Sequence, residues 1–311
     1  MNLSEFELIR KITKQIPVSL QESARLRDDT GVLKSLSALF PLMTSDTIVE
    51  NVDFQIDKAG PEQIGKKALA INLSDIAAMG GTPIYFTIAL GIPSYLKADW
   101  IRRFYNGILF WAKRYRVVCA GGDVSKAPCF FSNITVLGHR AKRPIMRNRA
   151  CAGDWIGVTG RLGGSILKHH LLFKPRLEEG CFLADKSVTS MIDVSDGLLQ
   201  DMEHILLQSQ VGCILRLEDI PVSEAARCLH QGNDSKCLKA ALTDGEDFEL
   251  LFTAPPEIGG RISRSWNKKF PKVRLSWIGR ITRSKKKQIL SEDGKLLSWE
   301  HFKKKGFQHF T

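Results

Sequence analysis

The sequence predicts a mixed α/β fold, of α/β or α+β type, divided into two domains. Apolar runs with strand character alternate with helical periods along the whole chain, without internal repeats or low-complexity tracts. The 311 residues suffice for two ordinary cores, and 43% hydrophobic with 25% charged residues is a globular composition. No stretch approaches the roughly 20 uninterrupted apolar residues of a membrane span.

Residues 1–15 mix charged and apolar side chains, which reads as an amphipathic helix rather than an export signal, so the expected location is the cytoplasm. Residues 42–56 alternate apolar and polar side chains and carry β-branched residues, predicting a strand with an interruption. Residues 61–79 follow a helical period through Ile64, Ala68, Ile71, Asp75 and Ala78. Residues 84–92 form a buried strand, and 100–115 a helix with Trp100, Phe104, Ile108 and Trp111 on one stripe. Residues 116–120 read as a strand running into Gly121-Gly122-Asp123, and 130–138 as another. The basic, turn-prone stretch 140–153 marks a boundary near residue 148, giving domains 1–148 and 149–311. Beyond it come a strand at 154–160, the segment 185–192, a helix at 198–208, and strands at 213–217 and 249–253.

Charge is unevenly placed. Of the net +12, residues 261–311 carry 15 Lys and Arg against three acids, so the remainder is neutral overall. Such an excess could attract polyanions, but no nucleic-acid fold signature accompanies it, and nucleic acid is not an expected partner. Seven scattered cysteines without a Cys-x-x-Cys pair predict reduced, mostly buried thiols, and neither disulfides nor zinc.

Aspartates recur at positions that read as loops: Asp28 and Asp29, Asp46, Asp75, Asp123, Asp193 and Asp196. Closely spaced carboxylates repel unless a cation or donors offset them, and Mg²⁺ takes oxygen ligands together with nucleotide phosphates. Each cluster alone also fits an Asx-turn or helix cap. Asp75 stands out because its helix is otherwise small and apolar; its bland alternative is the cap of a second helix starting at Ile76. Residues 60–67 nearly spell a Walker A loop, but Lys67 stands where Ser or Thr is needed, and a helix start is the better reading. Residues 160–165, GRLGGS, could cradle phosphate or simply turn. His169 and His170 read as a partly exposed helix pair.

Taken in order, RDD (27–29), TSDT (44–47), KALAINLSDIAAMGG (67–81), AGGDVS (120–125), GDWIGVTG (153–160), KPR (174–176), IDVSDGL (192–198), GEDFELLFT (245–253) and GFQHF (306–310) resemble the thiamine-monophosphate kinase family over nearly the whole chain. The combination at these distances is highly specific, although each motif alone is weak. The resemblance implies an N-terminal half that pairs with a second copy as a dimeric β-barrel with helices, and a C-terminal α/β sandwich. It implies a homodimer with ATP and thiamine monophosphate as substrates, several Mg²⁺ ions, and direct in-line transfer without a general base. By motif position Asp29, Thr44, Ser45, Asp46, Asp75, Asp123, Asp193 and Asp196 would ligate metal. Tyr105, Gly122, Asp123, Arg147 and Ser195 would contact ATP, and Asp53, Glu246 and Phe307 the thiamine phosphate, with Phe307 able to stack on an aromatic ring.

The chain departs from the family pattern at Arg27, usually glycine, and at Val124, usually threonine. Asp53 also varies in type among relatives. Related ATP-using enzymes are the nearest alternatives. A selenophosphate-type enzyme would want a reactive N-terminal cysteine, but the first here is Cys119; a hydrogenase-maturation type would want a C-terminal cysteine, but the chain ends His309-Phe310-Thr311. The purine-pathway relative shares the GEDFEL and GFQHF ends less closely. From another class, an inactive kinase fold could bind polyanions through the basic last 51 residues, with salt-sensitive RNA binding as its mark.

Overall fold

The computed structural model describes residues 31–32, 40–140 and 142–302, and it contains two sheets. The first takes β1 (Gly31–Val32), β2 (Phe40–Val49), β3 (Thr82–Ile92), β4 (Val118–Lys126) and β5 (Phe131–Arg140) in the order β1-β2-β5-β3-β4. β2 and β5 pair antiparallel without a break from Phe40 opposite Arg140 to Val49 opposite Phe131, whereas β3 and β4 run parallel. This sheet is open: no closed barrel is found among the described residues, and β4 is an edge, exposed along its whole length.

Alternation along β2 turns Leu42, Thr44 and Ile48 inward and Met43, Ser45 and Thr47 out. The inward side is covered by α1 (Pro61–Ala78) and α2 (Ala98–Tyr115). α1 starts where Gly60 is extended and Pro61 supplies a pre-set φ at the first helical position. The Gln63 side chain accepts from the Gly60 N–H at 2.9 Å, satisfying a donor the helix itself cannot. The near-Walker stretch is therefore a helix start. α2 is amphipathic, buries Phe104, Ile108 and Trp111, and stops at Arg116, which is left-handed at φ 57°.

The second sheet orders β6 (Trp155–Thr159), β7 (Ser190–Asp193), β8 (Gly212–Arg216), β9 (Leu250–Ala254), β10 (Leu275–Thr282), β11 (Lys287–Leu290) and β12 (Leu296–Ser298) as β12-β11-β8-β10-β6-β9-β7. Its pairs are antiparallel except β8 with β11. Three helices matter here: α3 (Leu177–Asp185), α4 (Leu198–Ser209) and α5 (Pro256–Lys269). The larger core cluster crosses residue 148, running from Leu42 through α1 to Phe182, Phe252 and Trp266. α1 is thus packed on both sides, against β2 and α2 on one and α3 and β7 on the other.

Several sequence expectations are corrected. Of the aspartates read at loop-like positions, Asp123 lies within β4 and Asp193 at the end of β7, whereas Asp46 in β2 and Asp75 in α1 fall on the strand and the helix that the apolar pattern predicts. The helix runs unbroken through Asp75 to Ala78, so Asp75 caps nothing. GGD is strand because Thr87, Ile88 and Ala89 pair with Gly121, Gly122 and Asp123. The cysteines are unpaired as expected but not mostly buried: Cys213 and Cys237 are, while Cys119, Cys151 and Cys228 are exposed. Asp28, Asp29, Arg27, Phe307 and the 1–15 segment lie outside the described residues. No helix among the described residues is long and apolar enough to cross a membrane.

The α1–α2 contact depends on glycine. A Cβ on Gly107 would stand 2.1 Å from the Glu62 carbonyl oxygen, and one on Gly65 2.0 Å from that of Phe104. Gly107→Ala is expected to lose about 1–3 kcal/mol through overpacking. Gly260→Ala, on exposed α5 with nothing nearer than 4.0 Å, is expected to gain up to about 1 kcal/mol. Urea midpoints that fail to separate these two variants would contradict the packing.

Candidate active site

A cleft of about 1390 Å³ lies between the two sheets' helices and gathers side chains from both halves. Asp46 from β2 and Asp75 from α1 share its wall with Asp193, Ser195 and Asp196 from the β7–α4 turn, and with Asp53 and Glu246. The carboxylates are held by neighbours. Thr44 donates its hydroxyl to Asp75, and Ser74 donates to Asp193 at 2.6 Å. Ser74 and Asp193 are both almost fully buried. Each of these bonds joins segments far apart in sequence, so the carboxylates are aimed by tertiary structure.

The β7–α4 turn is organised by Asp201, whose carboxylate accepts from the backbone N–H groups of Asp196 and Gly197 at 3.0 and 3.1 Å. Burial, followed by the charges of Asp196 and Asp193, holds the Asp201 carboxyl well above the usual carboxylate range. The charge of the Arg147 guanidinium acts weakly in the other direction. Arg147 belongs to a short 3₁₀ turn, Arg147–Arg149, fixed by Ser209 donating to the Arg147 carbonyl and by the Arg149 N–H bonding to Ser190. Asp196, Asp201 and His204 bring one ligand atom each within 4.8 Å of one another. An all-oxygen donor set of carboxylates and hydroxyls around Asp46, Asp75, Asp193 and Asp196 suits a hard divalent cation such as Mg²⁺.

Opposite this turn runs the strap 244–249. Glu246 and Phe248 are left-handed, at φ 63° and 49°, and their N–H groups bond to the Ser195 and Val194 carbonyls. The alternation sends Glu246 and Phe248 into the cleft. Lys67, fully buried on α1, ties the strap to the opposite wall: its ammonium donates to Glu246 and, at 3.1 Å, to the Asp53 carbonyl. Asp53 has a structural duty as well, since its carboxylate accepts the Val49 N–H at 2.7 Å.

Other sequence-predicted residues lie elsewhere. Ser45 points to the open face of the sheet, bonded to Thr135 at 2.9 Å. Tyr105, half-buried on α2 and packed edge-on to Phe104, does not line the cleft, nor do Gly122 and Asp123 on the exposed edge β4. A Cβ at Gly122 would lie 2.0 Å from the Ile88 carbonyl, so that glycine serves strand pairing. In GRLGGS, the Gly163 and Gly164 N–H groups are already taken by the Asp247 and Asp244 carboxylates. His170 is buried and bonded to the Ser165 carbonyl, while His169 meets that of Asp247. Sequence reasoning missed Lys67, Ser74 and Asp201 as site-building residues. A signal for Lys67 existed, because Lys67, Ile71 and Asp75 stand four apart and share one helix face.

Residues 27–139 match the family model for AIR synthase related protein, N-terminal domain. A solved structure of hydrogenase maturation protein HypE in complex with ATP shares the fold at TM-score 0.66 and 19% identity, over 87% of this chain and 88% of that one. Within residues 27–139, which carry the first sheet with its two helices, the chain is thus similar to the N-terminal domain of AIR synthase related proteins. The thiamine-monophosphate kinase of Rhodopirellula baltica is 39% identical over 264 residues, 83% of each chain. That of Pyrococcus horikoshii is 32% identical over 97% of each. The structure of AaThiL complexed with AMPPCP and TMP superposes at TM-score 0.84 with 28% identity, covering 100% of this chain and 99% of that one. The chain belongs to the thiamine-monophosphate kinase family.

Lys67→Met keeps the helix and the apolar stem but removes both ties. A hydrogen bond to a charged group contributes about 1.5–3 kcal/mol, and Glu246 keeps partial access to water, so the expected loss lies at the low end of that range. Thermal unfolding of the variant checks this, and an unchanged midpoint would show that the tie carries no stability.

Proposed function

We propose that this chain transfers the γ-phosphoryl group of ATP directly to the phosphate of thiamine monophosphate, giving thiamine diphosphate and ADP. The observation that carries the reading is the single cleft in which Asp46, Asp75, Asp193 and Asp196 meet Asp53 and Glu246. Family membership supports it, as does a closely similar fold that binds AMPPCP and TMP together.

An oxygen of the acceptor phosphate bonds to the γ-phosphorus while the bond to the β,γ-bridging oxygen breaks, and that oxygen leaves on ADP. A phosphate monoester has its second pKa at about 6, so the attacking oxygen is already ionised at neutral pH and no side chain need act as base. The four cleft aspartates, with Asp29, Thr44, Ser45 and Asp123 by resemblance, would hold Mg²⁺. When bound, such ions would supply positive charge that offsets the charge of the phosphate groups during transfer. Tyr105, Gly122, Asp123, Arg147 and Ser195 are assigned to the nucleotide, and Arg147 offers a fixed cationic fork. Asp53, Glu246 and Phe307 are assigned to the thiamine phosphate.

The reading includes a homodimer. Met43 and Tyr85 are exposed on the open face of the first sheet, and β4 is exposed throughout. β2 and β4 stand three strand spacings apart, roughly 14 Å at about 4.8 Å each, too far for one ion to meet Asp46 and Asp123 across the sheet. A second copy closing the sheet into a barrel covers this face and gives the edge a place at a nucleotide site. In this arrangement residues 1–148 bind ATP and Mg²⁺ and dimerise, while residues 149–311 complete the substrate site. Unpaired, scattered cysteines are compatible with a cytoplasmic setting.

Product formation from ATP, Mg²⁺ and thiamine monophosphate tests the proposal. Wild type is expected to make thiamine diphosphate and Asp75→Asn to lose at least a hundredfold in turnover. ATP binding without thiamine diphosphate formation by the wild type would end the assignment.

A further inference from the structure

Behind the strap lies a second, smaller pocket of about 280 Å³, just below the roughly 300–1,000 Å³ typical of small-molecule sites. The strap divides the two spaces: Glu246 and Phe248 face the large cleft, Asp247 and Glu249 the small pocket. Cations reach the small pocket from separate segments, Arg161 after β6, Arg176 before α3, and Lys272 and Arg274 before β10. Their states differ. Arg176 is mostly buried and forks onto Glu249, with Nε at 2.7 Å and Nη2 at 2.5 Å, so this pair is neutral. Arg161, Lys272 and Arg274 form no ion pair among the described residues. Arg161 bonds only the Val222 carbonyl, at 3.1 Å, and Arg274 the Ser276 hydroxyl, at 2.9 Å.

Three uncompensated cations around one concavity repel one another and focus a positive potential into it. The floor does not cancel this field. Glu249 is matched by Arg176 and also accepts the Thr159 hydroxyl at 2.6 Å. Asp247 accepts the Gly163 N–H through both oxygens, and burial, with that bond opposing it, pushes its carboxyl well above the usual carboxylate range. Electrostatics favours an anion, and the volume limits it to something smaller than a nucleotide. We infer that the pocket bounded by Arg161, Arg176, Lys272 and Arg274 is a second anion site, separate from the catalytic cleft, that binds a small phosphate anion of orthophosphate or diphosphate size. The guanidinium groups of Arg161 and Arg274 suit it, because their planar donor forks match phosphate oxygens better than an ammonium group does.

The test is calorimetric titration of the full chain in EDTA with inorganic phosphate and, separately, with inorganic diphosphate. Removing divalent ions disfavours phosphate binding among the cleft aspartates, and Lys236→Ala/Lys239→Ala, at two exposed cations that line the cleft, serves as the control for residual binding there. The expected result is one site for at least one anion, weakened tenfold or more by Arg161→Ala/Arg274→Ala and unchanged by Lys236→Ala/Lys239→Ala. The preferred anion then distinguishes orthophosphate from diphosphate. Absence of binding by both anions, equal affinity in the rim variant, or loss only with Lys236→Ala/Lys239→Ala would overturn the inference. The rim side chains are exposed and bond only to a carbonyl and a hydroxyl, so the variant is expected to fold; retention of the wild-type melting temperature checks this.

Discussion

A hydrogen bond spanning 119 residues of sequence, from the Ser74 hydroxyl to the Asp193 carboxylate, is the constraint on which the cleft depends. It joins α1, the buried helix of the first half, to β7, the edge strand of the second sheet. Lys67, two turns earlier on the same helix, makes the parallel connection to the strap through Glu246. Between them these contacts fix the distance between Asp75 and the Asp193–Asp196 turn. Without them, side chains from opposite halves would share a cleft but not an alignment.

Crowded carboxylates are costly, and the protein meets part of that cost with its own donors. Thr44 serves Asp75, Ser74 serves Asp193, and Gln200 serves Asp196 at 2.9 Å. Burial, and then the neighbouring aspartates, hold the Asp201 carboxyl above its usual range. The strap offers a contrast. There Glu249 is matched by Arg176, and Asp247 is satisfied by a backbone donor in a glycine loop. The glycine loop therefore holds a side chain of the protein itself, and its resemblance to a phosphate cradle has a physical basis, since the Asp247 oxygens accept its N–H group.

Much of this was legible in the residues, and the misses have definite causes. Helices 61–78 and 98–115 follow from their apolar periods, because α2 lays one apolar stripe against the core while α1, packed on both sides, is buried nearly all round. Strands at 131–140 and 155–159 were read near their true limits, whereas β4 was read short because glycine and aspartate have low strand propensity. Pairing with β3 overrides that preference. The aspartates were recognised as a set, and Asp46 and Asp75 fall on the strand and helix read there, but Asp123 and Asp193 were not placed on strands, since a polar residue in an apolar pattern looks like a break until its partner is known. Lys67 was discounted as a failed Walker residue, and only the tertiary contact with Glu246, 179 positions away, shows what it does. Ser74 and Asp201 carry no local signal that separates them from ordinary helix residues.

The most direct test is a double-mutant cycle on Ser74 and Asp193, read as turnover of ATP and thiamine monophosphate. Misplacing a catalytic group by about 1 Å can cost roughly a hundredfold in rate. Ser74→Ala is therefore expected to lower kcat by about ten- to a hundredfold while shifting the melting temperature little. Asp193→Asn should lower it further, and the double variant should fall no lower than Asp193→Asn alone, since the hydroxyl acts through that carboxylate. Wild-type turnover in Ser74→Ala, or losses that simply multiply in the double variant, would contradict the claim that this bond aligns the cleft.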